Sequence, residues 1–241
     1  MRKTWHQSRL TSLRIQVAFC NMKKTSFLRL LVSAIYFPAF LQAAESEPIR
    51  VACIGDSITQ GSGAEKGKSY PSQLQELLGN DWKVANFGVS GRTLLKKGDF
   101  PYWKEKAYQN ALAFEPQVVI IMLGTNDTKP QNWKHEAEFV ADYRALVESF
   151  AALKSKPEIF ICRPCPVPGA GNFGINEKNV LEEIKRLDEL AKEMKLGIID
   201  MHAALADKPE LLPDRVHPNT AGAGEMAKAA HAVLIKSREK K

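Results

Sequence analysis

The sequence predicts an α/β protein, a three-layer α/β/α sandwich around a five-stranded, mainly parallel sheet. Three observations lead there. From Pro48 onward, short apolar runs alternate with longer amphipathic stretches, the pattern of βα units. The short runs are almost continuously apolar, as strands covered on both faces must be. Glu115-Pro116 and Lys156-Pro157 each close an amphipathic stretch just ahead of an apolar run. Proline cannot continue a helix and restricts the residue before it, so these pairs mark helix ends.

In chain order, strands are expected over residues 50–54, 83–87, 118–123, 159–162 and 197–200, each a compact cluster of Val, Ile, Phe, Ala and Cys. Between and after them, apolar residues recur at helical spacing over 70–78, 103–114, 136–153, 176–194 and 220–235. No repeat, low-complexity segment or linker interrupts the series. The 241 residues are 44% hydrophobic and 25% charged, enough apolar chain for the core of one ordinary domain, assigned to residues 45–241.

The formal charge of +7 belongs to the first 44 residues. Arg2, Lys3, Arg9, Arg14, Lys23, Lys24 and Arg29 lie there with no Asp or Glu. Removing those seven from the 34 basic residues leaves 27 against 27 acidic ones. A neutral body carries no footprint for a phosphate backbone, which argues against nucleic acid as a partner. Residues 1–44 read as an export leader: Lys23-Lys24 as the positive region, an apolar stretch from Leu30 to Leu41, then Ala43-Ala44 before Glu45. Translation starting at Met22 would give the leader its usual length. The apolar stretch is short for a bilayer span, so stable membrane insertion of the mature domain is not expected; an uncleaved anchor is the alternative. The expected destination is the periplasm or the outside of the cell.

Three cysteines follow the leader, an odd number that cannot complete a disulfide framework. Cys53 sits in an apolar run and reads as a small buried hydrophobe. Cys162 and Cys165, flanked by Pro164 and Pro166, are expected to form a short-range disulfide if exported, with two free thiols as the alternative.

In an open parallel sheet the ligand crevice lies outside the carboxyl ends of the strands. Four segments rich in polar and turn residues follow strands: 55–61, 88–93, 124–127 and 213–218. Ser57, on the Gly-flanked turn Gly55-Asp56-Ser57-Ile58-Thr59, is placed as an exposed nucleophile, although such a turn also suits an ordinary cap. A serine hydroxyl needs a base and a group that orients the base. Asp214, three residues before His217, has the spacing to fold back onto one ring nitrogen and leave the other for Ser57. An oxyanion hole needs donors where charge develops, and the Ser57 N–H, the Gly88 N–H and the Asn126 amide are the candidates. Asp56 is given a turn-stabilising role only.

Together these blocks resemble the SGNH hydrolases, also called the GDSL esterase/lipase family. The matching blocks are Gly55–Thr59, Gly88 within Asn86-Phe87-Gly88-Val89-Ser90, Gly124-Thr125-Asn126-Asp127, and Asp214-Arg215-Val216-His217. The resemblance implies the flavodoxin-like fold of that family and a serine esterase with Ser57 as nucleophile, His217 as base and Asp214 as its partner. Ser57, Gly88 and Asn126 would form the oxyanion hole. Within the family the chain looks most like bacterial carbohydrate O-acetylesterases of the sialate or xylan kind, which implies a small-molecule or carbohydrate ester as substrate. A lipid acylhydrolase, such as a lysophospholipase or thioesterase, and a non-catalytic glycan-binding module are the rivals.

No cofactor is called for, and His135 and His202 lack partners at metal-ligand spacing. The acyl length, the sugar and the oligomeric state are left open. Tyr102, Trp103, Trp133 and Phe173 are read as core-plugging aromatics, with stacking on a sugar face as the alternative, and Arg92 and Arg163 as ion-paired or solvated residues, with binding of an acidic substrate group as the alternative.

Overall fold

The computed structural model describes residues 47–239, so the leader lies outside the described residues. Five strands, β1 (Ile49–Gly55), β2 (Trp82–Gly88), β3 (Val118–Met122), β4 (Glu158–Arg163) and β5 (Gly197–Asp200), form one sheet in the order β2-β1-β3-β4-β5. All pairings are parallel, so "mainly parallel" becomes wholly parallel.

Alternation within the apolar runs explains why they had to be continuous. Val51 and Cys53 of β1, with Val118, Ile120 and Met122 of β3, face one layer of helices, and Ala52, Ile54, Val119 and Ile121 face the other. The first layer holds α2 (Tyr70–Leu78), α7 (Met201–Leu205) and α8 (Thr220–Arg238). Leu74, Leu205, Ala223, Met226, Ala227 and Ala230 pack there. The second holds α3 (Lys106–Ala113), α5 (Phe139–Ala151) and α6 (Glu177–Met194), with Leu146, Phe150, Leu187 and Leu190 buried against the sheet. Ser69 caps α2, Asn176 caps α6 and Asn219 caps α8, each side-chain oxygen accepting an N–H of the first turn.

Two short helices escaped the periodicity because each is only four residues: α1 (Ser57–Gln60) and α4 (Pro130–Trp133). The stretch 103–114 is divided by Glu105 into a 3₁₀ turn, Tyr102–Lys104, and α3. Both proline-marked helix ends lie where expected. Glu115 and Lys156 each turn the chain at φ 47° directly before proline, and Arg50 donates to the Phe114 and Glu115 carbonyls. Among the described residues no helix is long and apolar enough to cross a membrane.

The expected disulfide is corrected. Cys53, Cys162 and Cys165 are free and buried; Cys162 and Cys165 both sit under the α2–α8 layer, and Cys165 Sγ lies 3.7 Å from Met226 Sδ. Burial pushes the Cys53 thiol up to about 12 and holds Cys162 and Cys165 well above their ordinary value. They act as small apolar side chains. Folded residues 45–241 are therefore expected to release no measurable colour with Ellman's reagent, and three thiols' worth after guanidinium unfolding. Two protected thiols that appear only after reduction would show the disulfide instead.

Candidate active site

The parallel register sets three strand ends at one level: Gly55 of β1 stands opposite Gly88 of β2 and Met122 of β3. The chain leaves β1 toward β2 on one side and reaches β3 on the other, the switch point at which such sheets open a crevice. At the end of β1, Asp56 caps α1 by accepting the Ile58 N–H at 3.0 Å. This fixes Ser57 as the first residue of the helix, 7% exposed.

His217 arrives from 160 positions away. Ser57 Oγ lies 2.9 Å from His217 Nε2, and His217 Nδ1 lies 2.7 Å from Asp214 Oδ2. The other Asp214 oxygen, Oδ1, accepts the Val216 and His217 N–H groups at 2.9 and 2.7 Å. Partial burial alone would raise the Asp214 carboxyl; the hydrogen bonds from the His217 N–H, its ring and the Val216 N–H outweigh this and hold it below the usual carboxylate range. Leu212 and Val216, each 2% exposed, anchor the two ends of this turn in apolar surroundings. Arg215 between them adopts φ 70°.

A cavity of about 160 Å³ opens beside Ser57, lined by Ser90 and Gly91 after β2, Thr125, Asn126 and Lys129 after β3, and Phe173, Ile175, Val216 and His217. Two buried acids brace the segments that line it, without lining it themselves. Asp127, fully buried, accepts the N–H groups of Leu94 and Leu95 at 2.9 and 2.7 Å and so ties the segment after β3 to the one after β2. Burial raises its carboxyl to about 7, against those two hydrogen bonds. Burial likewise raises Asp56 to about 6, opposed by the Ile58 N–H, the His217 and Lys129 charges and the Asn126 amide.

Most sequence-derived site residues converge here. Ser57, His217 and Asp214 form one hydrogen-bonded chain, and Asn126 lines the cavity. Its Nδ2 is 3.1 Å from both Asp56 Oδ2 and the Arg92 carbonyl, while the Asn126 backbone carbonyl accepts from Asn132 Nδ2 at 2.9 Å. Asp56 does what the sequence assigned it, capping the turn.

Gly88 is the correction. Its N–H is already given to Asn86 Oδ1 at 2.9 Å, and it does not line the cavity. It is a packing glycine: a Cβ there would stand 2.3 Å from Gln60 N and 2.9 Å from the Asp56 carbonyl oxygen. Gly91 lines the cavity instead, at φ 77° with open space where a side chain would project. Two glycines three residues apart serve opposite purposes, and the only clue in the sequence was that both fall in the segment flagged after β2.

Of the four aromatics, Tyr102, Trp103 and Trp133 join the core, but Phe173 is 54% exposed at the cavity mouth. Arg92 pairs with Glu105, and Arg163 with Asp188 and Asp200. His202 pairs with Glu177 at 2.6 Å. Among the described residues no group of three or more His, Cys, Asp or Glu side chains is arranged to hold a metal.

Residues 53–224 match the sequence pattern of the GDSL-like Lipase/Acylhydrolase family. The chain belongs to that family. An acetylxylan esterase from Xylanibacter ruminicola is 41% identical, over 80% of this chain and 45% of its own length. This chain thus spans a little under half of that relative. Among solved structures, a carbohydrate acetylesterase family member from Sinorhizobium meliloti superposes with a TM-score of 0.64 at 22% identity, covering 78% of this chain and 98% of its own. The M. smegmatis aryl esterase gives 0.63 at 21%, covering 78% and 99%. A two-domain esterase active on acetylated mannans gives 0.60 at 24%, covering 79% of this chain and 49% of its own. These likenesses share the three-layer fold described above.

If Gly88 is a packing residue, Gly88→Ala should lower stability by about 2–3 kcal/mol, since the new methyl meets backbone on both sides. Gly91→Ala, free of clashes but at positive φ, should lower it by only about 1 kcal/mol. Chemical denaturation of the two variants checks the order; equal stabilities would return Gly88 to the list of candidate donors.

Proposed function

We propose that this protein is an exported serine esterase that removes short acyl groups, acetyl foremost, from a carbohydrate. The observation that carries the reading is the chain Asp214–His217–Ser57, closed at 2.7 and 2.9 Å beside a cavity of about 160 Å³. His217 Nε2 takes the Ser57 proton as Oγ attacks the ester carbonyl, and Asp214 holds the ring tautomer and balances the imidazolium. His217 then protonates the leaving alcohol. Water, activated by the same nitrogen, later releases the acid from the acyl-enzyme.

The developing oxyanion faces the N–H groups of Ser57 and Gly91, neither of which has an acceptor among the described residues. The Asn126 amide is the third donor and reaches it by sharing a hydrogen now given to Asp56 or Arg92.

Cavity size favours acetyl over the lipid-directed alternative, because ordinary ligand pockets run to about 300–1,000 Å³. The acetylxylan esterase relative and the acetylated-mannan esterase neighbour support a polysaccharide acetyl ester. A complete and hydrogen-bonded triad disfavours a non-catalytic glycan-binding module.

Ser57→Ala is expected to cut kcat on p-nitrophenyl acetate by at least about 10⁴-fold with thermal stability retained. Wild-type kcat/KM should fall by roughly tenfold or more as the acyl chain passes about four carbons. A flat chain-length series would move the reading to a lipid acylhydrolase, and an active Ser57→Ala would end it. Export rests on the leader pattern of residues 1–44. The mature protein recovered from cells should begin near Glu45 by intact-mass measurement; recovery of the full-length chain in the cytoplasm would refute export.

A further inference from the structure

Lys129 is the one Lys or Arg among the described residues lining the catalytic cavity. It is half-buried, and neither a hydrogen bond nor an ion pair engages its ammonium. The other cations nearby are committed. The Arg92 guanidinium holds Glu105 at 2.8 Å and the Ser90 carbonyl at 2.8 Å, and Arg215 is turned toward the Gly171 carbonyl at 3.3 Å. Asp56, the acid beneath Lys129, already has its partners in the Ile58 N–H and the Asn126 amide. An ammonium at the mouth of a binding cavity, with no acid in ion-pair contact, is suited to an anion brought by the ligand.

Across the mouth stands Phe173, at φ 53° and 54% exposed, its ring centroid 5.7 Å from that of His217. A phenylalanine at positive φ costs stability and holds only where its surroundings impose it. Here they do: Asn172 donates to the Asp214 carbonyl at 3.0 Å, its Oδ1 accepts the Phe173 N–H at 2.8 Å, and Ile175 is buried with Val167, Val180 and Val216. The ring is thus displayed, not buried. Gly174 then carries the loop over to Lys129, where an added Cβ would stand 3.9 Å from Lys129 Cγ and 3.5 Å from Pro130 Cδ. Ring and ammonium therefore share one rim, directly outside the bond that Ser57 would attack.

We infer that Phe173 and Lys129 form the subsite for the alcohol part of the ester, and that they select a sugar bearing a carboxylate. Phe173 stacks on the sugar ring and Lys129 pairs with its acid group; a uronic acid is the simplest such sugar. The inference rests on the esterase reading and adds to it the charge of the alcohol.

The test compares two methyl glycosides, of glucuronic acid and of glucose, each with a single O-acetyl group on the same hydroxyl, alongside p-nitrophenyl acetate. Wild type should favour the uronate by about five- to tenfold in kcat/KM at low salt, and 0.5 M NaCl should shrink that ratio. In Lys129→Met the ratio should fall to about one, and in Lys129→Glu below one, whatever the absolute rates. Phe173→Ala should raise KM for both glycosides by about threefold or more while keeping the ratio.

A wild-type ratio near one, a ratio unchanged in Lys129→Met, or cleavage of p-nitrophenyl acetate without either glycoside would overturn the inference and leave the esterase reading standing. Failure to cleave all three would overturn both.

Discussion

Parallel pairing of β1 with β2 on one side and β3 on the other is the constraint from which the rest follows. It places Gly55, Gly88 and Met122 side by side, so that the three segments leaving these strands must share one edge. Parallel strands require crossovers, and the crossovers cover both sheet faces with helices. That burial leaves the carboxyl edge as the place where loops and exposed backbone groups collect. The nucleophile turn, the Ser90-Gly91 turn and the Thr125–Lys129 segment meet there because of strand register, with no sequence proximity among them. The base comes to the same edge by another route: α7 follows β5, and the 213–218 turn precedes α8, whose first turn is tied to the nucleophile region by Thr220 Oγ1 accepting the Glu65 N–H at 2.9 Å.

The edge is held rigid at an electrostatic cost. Asp56, Asp127 and Glu183 are all buried, and each carboxyl is raised above its ordinary range, first by burial and for Asp127 and Glu183 also by the neighbouring acids. Asp56 and Asp127 offset the cost by accepting backbone N–H groups that shape the turns carrying Ser57 and Gly91. Glu183 has no hydrogen-bond partner for either oxygen. It stands under Gly124, where a Cβ would meet its Oε1 at 1.8 Å, so only glycine at φ 132° fits above it. A cluster of buried acids of this kind gains in shape what it loses in solvation.

Specificity and chemistry come from different parts of the chain. Ser57 stands at a strand end and Asp214 and His217 on the turn before α8, braced by backbone hydrogen bonds. Phe173 belongs to the loop between β4 and α6, where Gly169, Gly171 and Gly174 all take positive φ. That loop is pinned to the base segment by Asn172 and Arg215, so the residue that displays an aromatic ring is positioned by the segment that supplies the base. On the proposed function, substitutions there would alter the alcohol recognised while the position of Ser57 is kept by the sheet.

Much of this was legible in the residues alone. Strand and helix runs were readable because burial on both faces demands unbroken apolarity, and helical packing demands a 3.6-residue period. The convergence of Ser57, His217, Asp214 and Asn126 was readable because a nucleophile, a base and an amide have few chemical substitutes, and Ser57 and Asn126 each followed a strand. Three things were decided only by the tertiary structure. Gly88 and Gly91 are alike in sequence, and only the closeness of the Gln60 backbone assigns one to packing and the other to the cavity. Cys162 and Cys165 have the spacing of a redox pair, and only their burial beneath α8 makes them inert. Phe173 resembles the other aromatics of its neighbourhood, and only the pinned loop brings it out beside Lys129. Pattern and residue chemistry act over a few positions, so the sequence by itself determined the elements and the reacting groups. Roles that depend on the free space around an atom required the packed chain, because that space is set by neighbours as far as 160 residues away.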